Sequence, residues 1–182
     1  MKSLPIQKPL TIISGGQTGA DRAGLDAAYK LRIPTTGYVP LGYLTEQGPD
    51  LKLKRYNVVQ HKSKEYPPRT FDNAKASDVT LIISPKKKSR GTELTLDACM
   101  QYDKPHLVID RFEERDVNAV LAFLSYFPHD VINVAGNRES VAPGLHVNAG
   151  KFLVTTFSRL LKDKGWYSPS VDGGVGRFSF TP

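Results

Sequence analysis

Two kinds of apolar block alternate along the chain. Leu10 to Ser14, Val79 to Ser84, His106 to Ile109 and Val131 to Ala135 are short continuous apolar runs bounded by turn residues, the pattern of strands buried on both faces. Between them, apolar positions recur at helical spacing. Ala20, Ala23, Gly24, Ala27, Ala28 and Leu31 share one helical face, and Pro34 ends that helix. Its small residues imply close approach to a sheet. Pro67-Pro68 opens a helix running to about Ala76, and a further helix is predicted from about Glu93 to Tyr102. Val117, Val120, Leu121 and Leu124 mark another, and Ala149, Phe152, Leu153, Phe157, Leu160 and Leu161 the last. Strands alternating with helices predict an α/β fold: a doubly wound, mostly parallel sheet with helices on both faces.

Two segments fit this alternation poorly. Between Thr35 and Tyr66, Pro40, Gly42, Gly48 and Pro49 interrupt the pattern, so only Thr36 to Val39 and Tyr56 to Gln60 read as strands, joined by a long excursion that is itself a candidate functional segment. From Asp163 onward, glycines are mixed with Trp166, Tyr167, Phe178 and Phe180. A single domain is therefore expected over residues 1–162, and residues 163–182 form a tail expected to lie across the domain or on a partner subunit.

The length of 182 residues suits one domain with a substantial core. The net charge of +7 favours anionic partners without naming one. With a single cysteine, Cys99, an internal disulfide is impossible. The N-terminus lacks the apolar core of a signal peptide, and no run approaches the roughly 20 apolar residues of a membrane span, so a soluble cytoplasmic protein is expected.

Open parallel sheets bind ligands at the carboxyl ends of their strands. Three loops fall there. In "SGGQTGADR", Ser14, Gly15, Gly16, Gln17, Thr18 and Gly19 lead straight into a helix, so backbone N–H groups and a helix N-terminus can cradle a phosphate or oxyanion. The alternative is a plain strand-to-helix turn with Thr18 as N-cap. A bulky residue at Gly16 or Gly19 should then separate the two, abolishing binding with stability nearly intact if the loop is a cradle. A P-loop is excluded, because Ala20-Asp21 stand where it needs lysine. A dinucleotide fingerprint is disfavoured, because the region about 20 residues on offers Thr35-Thr36-Gly37-Tyr38 and no acid.

In the second loop, Ser84 is followed by Lys86 to Lys88 and then Arg90-Gly91-Thr92, with Thr95 one turn later. This supplies a second helix N-terminus, hydroxyls and a guanidinium fork for an oxyanion. The lysines are either a solvated run or a means of steering anions. In the third, "NVAGNRES" offers Gly136, Arg138 and Glu139, which either serve a ligand or pair with each other on the surface. Asp21 is placed to meet the ligand or brace a loop, whereas Asp26 is expected to pair within its helix with Arg22 or Lys30. His61, His106, His129 and His146 are isolated, so no metal site is expected. Cys99 reads as a buried small residue, and Ser14 and Ser84 lack an evident base.

Taken in order, "IISGGQTGADRAGLDAA", "YPPRTFDNAKASDVTLII", "RGTELT", "KPHLVID" and "INVAGNRES" resemble the successive motifs of the putative molybdenum carrier family, part of the SLOG or lysine-decarboxylase-like Rossmannoid superfamily. The likeness runs from about Leu10 to Leu161. It implies a Rossmann-like domain whose glycine loops bind a phosphate-bearing, nucleotide-like ligand, with the molybdenum cofactor or a nucleotide as the candidate cargo. It also brings Tyr66, Arg69, Thr70 and Asn73 to the crevice, and implies a homodimer or larger homo-oligomer. Two departures stand out: Arg90 where the family usually has glycine, and Asn137 where it usually has proline.

Related phosphoribohydrolases resemble P-G-G-x-G-T-x-x-E at the second loop, with a catalytic glutamate. Here Thr95 takes that place, and Glu93 points about 160° away around the helix. The reading that follows is a non-catalytic carrier, sensor or sequestering protein for a phosphate-bearing nucleotide-like or molybdopterin-type ligand. A nucleotide N-glycosidase using Asp21 or Glu139 is the rival, and nucleic-acid binding through the basic surface a weaker third, nucleic acid and membranes not being expected partners.

Overall fold

The computed structural model describes residues 10–86 and 89–164. In chain order the elements are β1 (Thr11–Ile13), α1 (Ala20–Lys30), β2 (Thr35–Thr36), β3 (Tyr38–Val39), β4 (Leu44–Thr45), β5 (Gly48–Pro49), a 3-10 helix (Leu51–Tyr56), β6 (Val59–Gln60), α2 (Tyr66–Ala76), β7 (Val79–Ile83), α3 (Arg90–Gln101), β8 (His106–Ile109), α4 (Glu114–Tyr126), β9 (Val131–Gly136) and α5 (Leu145–Asp163). Five strands form the central sheet in the order β2-β1-β9-β7-β8, and every pairing is parallel. The fold is the expected Rossmann-like α/β sheet. No helix among the described residues is long and apolar enough to cross a membrane. The tail beyond Lys164, and Lys87 and Lys88, lie outside the described residues.

The two faces of the sheet differ. Val79, Leu81 and Ile83 of β7 and Ile132 and Val134 of β9 join α1, α4 and α5 in the main core. There the small-residue face of α1 does what its composition implies: a Cβ on Gly24 would lie 2.7 Å from Val134 Cβ. Residues of opposite parity face α2 and α3. Thr80 and Asn133 are buried there and hydrogen bonded to each other at 3.3 Å, while Ala74, Ala98 and Cys99 form a separate small cluster. Cys99 is fully buried, and burial pushes its thiol up.

The structure corrects the segment between Thr35 and Tyr66. The expected strand Thr36 to Val39 breaks at Gly37: Thr35 and Thr36 pair with β1, whereas Tyr38 and Val39 pair with β6. Gly37 has φ of 126°, and a Cβ there would sit 2.3 Å from the Ser14 carbonyl oxygen, so the chain changes sheets at a position only glycine tolerates. Of Tyr56 to Gln60, only Val59 and Gln60 are strand. Tyr56 instead closes the 3-10 helix, whose three-residue repeat puts Leu53 and Tyr56 on one side, against Leu25, Val39 and Val58. Asp50 caps it, accepting the Lys52 N–H at 3.0 Å.

Helix α3 starts at Arg90 rather than near Glu93, because the Ser89 hydroxyl accepts the Thr92 N–H and makes Ser89 the N-cap.

Candidate functional site

A cavity of about 750 Å³ opens at the carboxyl ends of β7 and β9, between α2 and the start of α3. Its volume is that of a small-molecule site. Gln17, Asp21, Tyr66, Arg69, Thr70, Arg90, Gly91, Thr95, Gly136 and Arg138 line it, so all three loops and the middle helix contribute. Ser14, Gly15, Gly16, Thr18, Gly19, Asn73, Ser84, Thr92 and Glu139 are not on its wall.

The first loop is filled from within. The Gln17 N–H goes to Asp21 Oδ2 at 3.1 Å, the Thr18 N–H to Gln17 Oε1 at 3.0 Å, and the Ala20 N–H to the Asn137 carbonyl at 3.0 Å. The N-cap of α1 is Gly19, not Thr18, and no side chain caps it. Gly16 and Gly19 have φ of 71° and 74°. A Cβ on Gly16 would lie 2.8 Å from Val39, and one on Gly19 would lie 2.5 Å from the Asn137 carbonyl oxygen. Substituting either would strain the fold itself, so these two glycines do not separate binding from stability. At Gly15 the guanidinium of Arg69 passes where a Cβ would stand, with Arg69 Nη1 only 1.4 Å from that position. Arg69 then reaches Asp21 Oδ2 at 3.2 Å. Ser14, fully buried, donates to the Val134 carbonyl at 2.7 Å.

The second loop is open where the first is closed. A Cβ on Gly91, in the first turn of α3, would meet nothing within 4 Å. Beneath it runs a polar lattice. Asn137 Nδ2 donates to Ser89 Oγ at 2.9 Å and to Thr92 Oγ1 at 3.0 Å, and Asn137 Oδ1 accepts the Lys86 N–H at 2.9 Å. Ser84 Oγ lies 3.1 Å from Thr92 Oγ1. Proline at position 137 could make none of these contacts, so here the departure from the usual motif ties the third loop to the second. Thr95 Oγ1 donates back to the Gly91 carbonyl at 2.9 Å.

In the third loop Arg138 and Glu139 do not pair; they diverge. The Arg138 guanidinium stacks 4.4 Å from the centre of the Tyr66 ring, above the cavity. Glu139 turns away and accepts the N–H groups of Gly144 at 2.6 Å and His146 at 2.8 Å, capping α5. Glu46, at the tip of the β4–β5 hairpin, clips these loops together: it accepts the hydroxyls of Thr18 and Ser140 and donates its N–H to Gln17 Oε1 at 2.8 Å. Burial would raise its carboxyl, but the Ser140 and Thr18 hydrogen bonds outweigh that and hold it below its ordinary value.

Asp26 is also corrected. It pairs with neither Arg22 nor Lys30; it accepts from Arg55 Nη2 at 2.8 Å, from His146 Nε2 at 2.7 Å and from the Tyr56 hydroxyl, while Arg22 pairs with Asp50 at 2.6 Å. Asn73 brackets the Tyr38 backbone, accepting its N–H at 2.8 Å and donating to its carbonyl at 2.9 Å, which ties α2 to β3.

Charge is unevenly spread over the wall. Asp21 and Arg69 neutralise each other at the first loop. Among the described residues, neither Arg90 nor Arg138 has a carboxylate at ion-pair distance. Lys64 and Glu65 also line the cavity, and they carry no sequence signal: they precede α2 in a stretch that reads as a lysine-rich loop. Ser89 and Ser140 could have been picked out, as the N-cap one residue before "RGT" and the serine closing "NRES".

Burial pushes the Asp21 carboxyl above its ordinary value, against the pull of Arg69, the Gln17 N–H and Arg138. The native state therefore holds the Asp21 proton more tightly than the unfolded chain does. Its contribution to stability is full below the unfolded value and is lost as pH rises through the native one. We expect the stability of Asp21→Asn relative to the unchanged protein to rise in urea melts as pH rises above about 4, the ordinary carboxylate value. A difference that is flat or falls with pH would contradict this.

The comparisons with known proteins agree with this fold. The chain shares 37% sequence identity with the crystal structure of a putative molybdenum carrier protein from Syntrophus aciditrophicus SB, covering 83% of this chain and 97% of that one at a TM-score of 0.76. No curated protein matches. The family model for the circularly permutated YpsA SLOG family matches residues 12–157. Permutation is visible in the sheet: counted cyclically from β7, the strand order becomes 2-1-3-4-5, that of a doubly wound sheet whose switch point falls between β7 and β9, beside the cavity. The chain belongs to the circularly permutated YpsA SLOG family.

Proposed function

We propose that the protein is a non-catalytic carrier, sensor or store for a phosphate-bearing ligand of nucleotide or molybdopterin type, held in the cavity between the three loops. The observation that carries this reading is the open first turn of α3 at Gly91, flanked by Arg90 and Arg138. A helix N-terminus with two guanidiniums, neither of them ion-paired among the described residues, attracts a phosphate. Tyr66 holds the Arg138 guanidinium against the same wall.

The carboxylates argue for binding over cleavage. Asp21 and Glu65 are those on the wall; Asp21 is held by Arg69 and the Gln17 N–H, and Glu139 caps α5. The Thr95 hydroxyl donates to its own helix. The name of the Syntrophus relative makes a molybdenum ligand a candidate. The residues suit the phosphate of a pterin cofactor. They supply no thiolate to its metal, since the single cysteine, Cys99, is fully buried away from the cavity.

Native mass spectrometry of freshly purified protein should reveal a retained phosphate-bearing molecule. Added nucleoside monophosphates at about 100 times their Kd should raise the melting temperature by about 5–10 °C. Release of free base during the incubation would overturn the non-catalytic reading, and the absence of both a retained molecule and a thermal shift would overturn binding.

A further inference from the structure

Gln17, on the cavity wall, has a side chain half satisfied in a fixed sense. Its Oε1 accepts the Thr18 N–H at 3.0 Å and the Glu46 N–H at 2.8 Å, so turning the amide over would set donor against donor. That leaves Nε2 buried and without a partner, on a residue only 3% exposed that lines the cavity. A buried donor left unpaired is costly, and native folds rarely leave one without an occupant to meet it. Beside it on the wall, Asp21 is 4% exposed and already holds the Gln17 N–H and Arg69 on Oδ2.

This carboxylate occupies the place an incoming anion would need at the first loop. The ligand's phosphate is thereby directed to Gly91, Arg90 and Arg138 at the opposite end, and a neutral part of the ligand is left to face Gln17 and Asp21. A neutral donor next to a carboxylate acceptor complements a carbonyl next to an N–H.

We propose that the first loop reads a lactam edge, Gln17 Nε2 donating to the ligand's ring carbonyl and the Asp21 carboxylate accepting its neighbouring ring N–H. The inference rests on the reading of a phosphate-bearing ligand and narrows it to 6-oxopurine nucleotides and pterins, which share that edge. Adenine presents the reverse: its amino group would meet the Gln17 amine, and its ring nitrogen lone pair would meet Asp21.

Calorimetric titration of the intact chain with GMP, IMP and AMP tests this. GMP and IMP should each bind about tenfold or more tightly than AMP. In Asp21→Asn the Gln17 N–H and Arg69 hold the amide oxygen and leave Nδ2 toward the ligand, so the ring N–H loses its acceptor and the gap should close to about twofold with AMP binding retained. Equal affinities in the unchanged protein would overturn the lactam edge and leave phosphate binding standing. No binding of any of the three would overturn both. A preference that persists in Asp21→Asn would remove Asp21 from the recognition and sink the proposal. Should that variant fail to fold, the ranking of the three nucleotides on the unchanged protein decides alone.

Discussion

Alanine at position 136 is expected to cost the fold about 4 kcal/mol or more, a fall in melting temperature of about 10 °C or more by scanning calorimetry. Gly136 ends β9 in the middle of the sheet, opposite Ile83 of β7, with φ of 148°. A Cβ there would stand 2.0 Å from the Ile83 carbonyl oxygen and 2.7 Å from its carbonyl carbon. Both are backbone atoms of the neighbouring strand and cannot swing aside as a side-chain tip can. That carbonyl also accepts the Asn137 N–H at 2.9 Å, which begins the turn carrying Arg138 to the cavity. Parting β9 from β7 to make room would loosen the Asn137 lattice as well, so fold and ligand site should fail together. A melting temperature within about 2 °C of the unchanged protein would show that the sheet relaxes more easily than its packing implies.

What could be read in the sequence follows from how local each signal is. Val79 to Ile83 is legible because a buried strand between turn residues needs no outside information, and Ala20, Ala23, Gly24, Ala27 and Ala28 announce a close sheet because only small residues permit that approach. Gly37 marks a turn, but whether the chain stays in one sheet depends on Ser14, more than twenty residues away. Leu53 and Tyr56 read as ends of loop and strand until Leu25 and Val39 give them a common face. The pairing of Asp26 with Arg55 and His146 is wholly tertiary: α1 packs on α5, and nothing near Asp26 in sequence implies His146.

The glycine loops show the same division. Their composition marks close backbone approach, and such approach occurs at Gly15, Gly16, Gly19 and Gly136. Composition does not say what approaches. At the first loop it is the protein: Arg69 at Gly15, Val39 at Gly16 and the third loop at Gly19. Three glycines that look like a phosphate cradle therefore frame the wall of the cavity, and among the glycines of the three loops the one facing open space is Gly91, in a motif with fewer glycines and an arginine beside it.

Gly91 consequently gives the cleanest separation of binding from folding. Gly91→Asp should weaken binding of nucleoside monophosphates about 100-fold while leaving stability unchanged or raised by about 0.5 kcal/mol. The two effects have opposite signs for one physical reason. Position 91 is in the first turn of α3, where a carboxylate is favoured by the unpaired N–H groups and the positive end of the helix dipole, and where aspartate also replaces the poorest helix former after proline. The same carboxylate would occupy the phosphate's place and repel it. Nothing within 4 Å of the new Cβ strains the fold. Titration calorimetry and urea melts on one preparation read both effects, and Arg138→Ala, which removes a cation without adding an anion, should weaken binding about tenfold in the same direction. Full affinity in Gly91→Asp would place the ligand's phosphate away from α3, and a loss of stability matching the loss of binding would mean that the first turn of α3 serves the fold and not the ligand.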